Sequence, residues 1–85
     1  MPNQQPKITM HVIWHARLLM AKHDIRSVSA LVRKLEEIGI DISVAQLGRL
    51  IDGKNKLWNQ EVIEGLLTIF NCNLSEMIET VAVGT

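Results

Sequence analysis

Residues 42–54 read ISVAQLGRLIDGK, a stretch that carries both ends of a helix in its own sequence. Ser43 can accept a hydrogen bond from the first unpaired N–H groups of a helix. Gln46, three residues on, can reach back to the Ser43 backbone, which is the spacing of a capping box. Leu47, Leu50 and Ile51 recur at helical spacing and would face a core. Gly53 supplies the left-handed residue that ends such a helix. Ser43, Val44, Gln46 and Arg49 are left on the outer face. A helix over residues 43–52 with a small, lightly polar outer face has a shape that fits a DNA major groove.

The helical period continues on both sides of this stretch, and strand-like alternation is missing, so the expected fold is all-α. A first helix is expected from residue 9 or 10 to residue 23, with Val12, Ala16, Leu19 and Met20 as its apolar stripe, widened by Ile13 and Trp14. Residues 24–26 break it. Ser27 then caps a second helix, in which Val28, Leu31, Val32, Leu35 and Ile38 fall at i, i+3, i+4, i+7 spacing. Gly39 ends it, and Ile40-Asp41-Ile42 is the turn into the helix described above. Asn59 caps a fourth helix that buries Ile63, Leu66, Leu67 and Phe70. Asn73 and Glu76 are spaced to cap a short fifth helix carrying Leu74, Met77, Ile78 and Val81. The second and third helices form a helix-turn-helix pair within a compact five-helix bundle.

At 85 residues the chain is one domain, expected over residues 9–81, between a flexible arm of residues 1–8 and a frayed tail of residues 82–85. No apolar run reaches the length of a membrane span. The opening MPNQQPK lacks the apolar region of a signal peptide. The single cysteine, Cys72, reads as a small buried side chain and fits a reducing, cytoplasmic setting. Net charge is zero, but its distribution is polar. Residues 1–56 hold all nine Lys and Arg against five acids, a net +4, and residues 57–85 hold four Glu and no base, a net −4. A basic half can face phosphates while an acidic half faces away.

The order RSVSALV, GIDIS, QLGRLIDGK and VIEGLLTIFNCNLSEMIE, preceded by WHARLLMAKHDI, resembles the phage-repressor-like helix-turn-helix proteins of the Cro/CI type, also called the XRE family. The resemblance covers roughly residues 14–79. It implies a lambda-repressor-like bundle and a DNA-binding transcription regulator of phages, plasmids or bacteria, many of which are homodimers on palindromic operators. One departure is that about five more residues than in a typical member separate Leu31-Val32 from Ile42-Ser43, which adds about a turn to the second helix and lengthens the turn that follows.

On this reading Ser43, Val44, Gln46 and Arg49 would meet base edges. Gln can pair with adenine, Arg with guanine, and Val with a thymine methyl, at about 1–3 kcal/mol of discrimination per good pair. The competing roles are a purely structural capping box for Gln46 and a salt bridge to Asp52 for Arg49. Ser27 with the N–H groups that open the second helix, and Lys54, Asn55 and Lys56 after the third, would hold phosphates, with Arg17 and Arg26 as additions. Trp14 reads as core; Trp58 reads as a cap on the core or a dimer contact. His11 and His15, four apart on the expected first helix, have the spacing of a metal pair but no third ligand, and structural or exposed histidines are the simpler account. His23 has no evident partner. No metal or cofactor site and no catalytic constellation is recognised, which argues against an enzyme. The expected function is sequence-specific binding of double-stranded DNA, as a transcription regulator and repressor. The alternative is a protein-interaction module on the same bundle, such as an antitoxin bound to a toxin. A homodimer is expected through the fourth and fifth helices.

Overall fold

A computed structural model describes residues 10–54 and 58–82 of the chain. In chain order the elements are β1 (Met10–Trp14), α1 (Ala16–Lys22), α2 (Val28–Glu37), α3 (Val44–Ile51), α4 (Gln60–Phe70), α5 (Leu74–Met77) and β2 (Ile78–Ala82). The expectation of an all-α fold is therefore corrected: the helices are joined by a two-stranded antiparallel sheet of β1 and β2. Met10 opposes Ala82, Val12 opposes Thr80 and Trp14 opposes Ile78. The anticipated first helix loses its opening turns to β1, and the fifth passes directly into β2, which takes Ile78 and Val81.

The physical reason lies in the side chains and in a distant partner. MHVIW is rich in β-branched and aromatic residues, which suit a pleated surface. Its helix-like spacing spans too few residues to distinguish a strand from a helix. A strand at each end of the chain completes the ladder, and the backbone N–H of His15 extends it by donating to Met77 O at 2.7 Å. That bond occupies one of the N–H groups that open α1, where the His15 side chain makes no cap.

Helix ends follow the sequence more closely. Ser27 Oγ accepts from Ala30 N at 3.1 Å and Asn59 Oδ1 accepts from Val62 N at 3.2 Å. Glu76 Oε1 accepts from Asn73 N at 3.2 Å. At their C-terminal ends α1 to α4 share one device. A residue at positive φ (Asp24, Gly39, Gly53 and Asn71) turns the chain, and the next N–H donates back to a carbonyl of the last turn. These bonds are Ile25 N to Met20 O, Ile40 N to Leu35 O, Lys54 N to Arg49 O and Cys72 N to Leu67 O. This is the Schellman arrangement, with glycine where the left-handed conformation costs least and Asp or Asn where it is tolerated.

The core is a single cluster. Ala16, Leu19 and Met20 from α1 meet Leu31, Val32 and Leu35 from α2, Leu47, Leu50 and Ile51 from α3, Val62, Ile63, Leu66 and Phe70 from α4, and Met77 and Ile78. Each fully buried Leu contributes about 1.5–3 kcal/mol relative to exposure. Three positions counted as core in the sequence are exposed: Val12 and Ile13, which lie on β1, and Ile38, which falls just past the end of α2. Leu74 is exposed as well.

Candidate nucleic-acid interface

α3 is built as its sequence requires. Ser43 Oγ accepts from Gln46 N at 3.1 Å, and Gln46 Oε1 accepts from Ser43 N at 3.3 Å, closing the capping box. Ser43 Oγ–H also donates to Gln46 Oε1 at 3.1 Å. Leu47, Leu50 and Ile51 are buried, with no more than 2% exposure, and anchor the helix to the core. Ser43, Val44, Gln46 and Arg49 are all exposed, so the four expected base-contacting residues share the outward side of the helix. Val44 is an exposed apolar side chain at the leading end.

α2 packs against α3, and six residues, 38–43, connect them. This connection is longer than the three or four residues of a tight helix-turn-helix turn. It is nonetheless ordered by packing: Ile40 is buried, Ile42 is half-buried against the core, and Ile40 N donates to Leu35 O at 2.9 Å.

The basic residues divide by partner. Arg17 Nε donates to Asp52 Oδ1 at 2.7 Å and its terminal nitrogen donates to Asp52 Oδ2 at 3.0 Å, a two-pronged pair joining α1 to the end of α3. The hydrogen bond from Arg17 holds the Asp52 carboxyl below its usual range, and the same bond raises the Arg17 guanidinium. Asp52 thus turns to Arg17 rather than to Arg49, the partner considered from sequence. Arg49 has no carboxylate partner among the described residues. Arg26 meets Asp24 at 3.1 Å, but both side chains are more than three-quarters exposed, so the pair is worth little. Lys54 is exposed and immediately follows Gly53. Ser27 is exposed at the start of α2, where its hydroxyl is committed to the cap. Asn55 and Lys56, the other two expected phosphate contacts, lie outside the described residues, as do residues 1–9 and 83–85.

Several readings from sequence change. His11 lies on β1 and His15 before α1, so the two are not a helical i, i+4 pair. His15 Nε2 lies 2.7 Å from Glu79 Oε1, fastening the start of α1 to β2. No group of three metal-ligating side chains occurs among the described residues. His23 gains a partner the sequence did not suggest, the ring of Phe70 at 5.7 Å between centroids. Cys72 is half-buried, and burial pushes its thiol up, away from a reactive thiolate. Trp14 is half-buried and meets the exposed Trp58 edge-on at 5.8 Å.

The family model for the Cro/C1-type HTH DNA-binding domain matches residues 17–82, well over half of the chain. The chain belongs to that family. Comparison with curated proteins and with solved structures finds no match. Family membership makes this a helix-turn-helix DNA-binding domain. The match begins at Arg17, after β1, and ends at Ala82, the last residue of β2. No helix among the described residues is long and apolar enough to cross a membrane.

Proposed function

We propose that this Cro/C1-type domain is a transcription repressor that binds double-stranded DNA and reads the major groove with α3. The observation that carries the reading is the outward row of Ser43, Val44, Gln46 and Arg49 on a capped helix whose opposite side is locked into the core. Arg49, with no carboxylate partner among the described residues, is the residue best placed to pair with guanine. Gln46 faces the groove with its amide nitrogen, because its oxygen is held by Ser43. Lys54 at the end of α3, and Ser27 with the opening N–H groups of α2, flank the groove as phosphate contacts. Arg26 gives up its weak surface pair to reach a phosphate, and Asn55 and Lys56 extend the contact beyond Lys54. Repression follows from occupying a promoter in place of polymerase.

Selection from a random duplex library, followed by footprinting, tests this directly. A defined site protected in the major groove is the expected result. Arg49→Ala should relax preference at particular base pairs, at about 1–3 kcal/mol, whereas Lys54→Ala should weaken all sequences alike and lower the salt slope by about one. Recovery of no enriched sequence, or equal losses from both variants on every sequence, would overturn readout by Arg49.

A further inference from the structure

We propose, resting on the reading of α3 as the groove-binding helix, that Asp52 limits affinity: it holds the Arg17 guanidinium and withholds its charge from the DNA backbone. Asp52 caps the C-terminal end of α3, between Arg49 and Lys54 in sequence. A carboxylate at that place repels phosphate and is unfavourable at the negative end of a helix. Arg17 reaches it from α1 and offsets both effects, donating hydrogen bonds of 2.7 and 3.0 Å. Hydrogen bonding from Arg17 is the main cause that holds the Asp52 carboxyl low, and the charge of Lys54 adds to it. Arg17, Asp52 and Lys54 thus form a cluster of two positive charges and one negative at the end of α3.

Arg17 is otherwise placed to meet a phosphate. Its side chain is more than half exposed. It lines an open groove of about 410 Å³ with Met20, Ala21, Asp24, Ile25 and Arg26. The groove reaches the loop of residues 24–26, which leads into α2 and the proposed phosphate anchor at Ser27. Two arginines therefore line one groove, and each has its own aspartate. The two pairs differ in strength. Arg26 meets Asp24 through a single bond of 3.1 Å between well-exposed side chains and can leave it freely. Arg17 is held at two nitrogens by a carboxylate 35 residues away, which is only about a third exposed. Two-pronged arginine–carboxylate pairs are the stronger kind.

An arginine already matched by a carboxylate adds little net charge to the surface, so it releases few counterions from an approaching phosphate. Phosphate contacts add affinity without reading sequence. Withholding one weakens binding to all DNA and leaves the outward face of α3 untouched. Binding then depends to a greater degree on base contacts. Asp52 is in this sense a repulsive element built into the flank of the site.

The test measures binding of the full chain by fluorescence anisotropy to labelled duplexes of about 30 base pairs, one of unselected sequence and one carrying the selected site, over about 50–200 mM salt. Asp52→Asn removes the charge with almost no change of shape. It should tighten binding to both duplexes about three- to tenfold and steepen the salt slope by about 0.9, the contribution of one phosphate. Asp24→Asn removes the same charge from the same groove, but its arginine is already free to move, so its gain should stay below about twofold. The double variant Arg17→Gln, Asp52→Asn should return to the wild-type affinity and slope. NMR of the Arg17 Nε–H should show it unmoved when DNA is added to wild type and shifted when DNA is added to Asp52→Asn. Binding by wild type that is unchanged or weakened in Asp52→Asn would make the pair a brace for α3 and overturns the proposal. An equal gain in Asp24→Asn, the mark of general charge repulsion, overturns it too, as does an Arg17 signal that leaves Asp52 in wild type on addition of DNA. If neither wild type nor any variant binds either duplex at low salt, the DNA reading itself fails and takes this proposal with it.

Discussion

Gly65 sits inside α4 with its Cα buried against the end of α2, and it offers a test of the packing that positions α3. A Cβ built at this site would lie 2.5 Å from Ile40 Cδ1 and 2.8 Å from Leu35 Cδ2. Carbon atoms pack at about 3.5–4.0 Å, so both contacts demand movement of an ångström or so. Leu35 is fully buried and Ile40 is 8% exposed, so neither methyl can simply swing into solvent. Overpacking of this kind costs about 1–3 kcal/mol. Alanine returns about 1 kcal/mol through its better helix propensity. The net expectation for Gly65→Ala is a loss of about 0–2 kcal/mol, or up to very roughly 16 °C in Tm for a domain of this size. Gly48 supplies the matched control. It lies in α3 with nothing within 4 Å of its would-be Cβ, so Gly48→Ala should gain about 0.5–1 kcal/mol from propensity alone. Urea and thermal unfolding followed by far-UV circular dichroism measure both. If Gly65→Ala proves as stable as Gly48→Ala, the close approach of α4 to Ile40 and Leu35 is refuted. Because Ile40 belongs to the connection leading into α3, the same substitution should also weaken DNA binding by more than the lost folded fraction explains.

Two further outcomes follow from the caps and ion pairs. Ser43→Ala removes the acceptor for Gln46 N and should cost about 1 kcal/mol of stability in urea titrations; no loss would mean that the capping box is not formed in solution. Asp52→Asn breaks the pair with Arg17, which is more than a third exposed on either side and so worth no more than about 1 kcal/mol. The folded-state pKa of Asp52 lies below its unfolded value, so the pair stabilises above the unfolded pKa and is lost as pH falls through the folded one. Wild type and Asp52→Asn should therefore differ at neutral pH and converge in acid, and a constant difference down to pH of about 2 would remove the pair from the account.

How far the sequence could be read depended on the distance over which each feature is decided. The Ser27, Ser43 and Asn59 caps, and the glycine stops at 39 and 53, are settled within four or five residues, and all were legible. Burial of Leu47, Leu50 and Ile51 was equally legible, because a capped helix of fixed period has one inward side. The strand at Met10–Trp14 was not, since its partner lies more than sixty residues away and its five side chains fit either period. Residue pairing failed for the same reason. Asp52 lies one helical turn from Arg49, yet Arg17, distant in sequence, takes both of its oxygens. Ile38 shows the complementary limit: it keeps the helical spacing of its stripe, but Gly39 stops the helix too early for that spacing to bury it. No local signal pointed to the contact of His23 with Phe70.

On the proposed reading, the capping box bears on how α3 would read DNA. An adenine pair requires the Gln46 side chain to accept and to donate at once. Its oxygen already accepts from the Ser43 backbone and hydroxyl, so the capped rotamer offers only its amide hydrogens to a base. Donation alone suits the acceptors of guanine, or N7 of either purine, and discriminates less well. Full adenine pairing would cost one of the hydrogen bonds that start the helix, on the order of 1 kcal/mol at the moment of binding. Arg49 has no hydrogen-bonded side-chain partner among the described residues, so its guanidinium can keep its planar fork for one guanine. The sharper base preference should therefore lie opposite Arg49, with a softer purine preference opposite Gln46. That order follows from the same bonds that make residues 42–54 a self-contained helix.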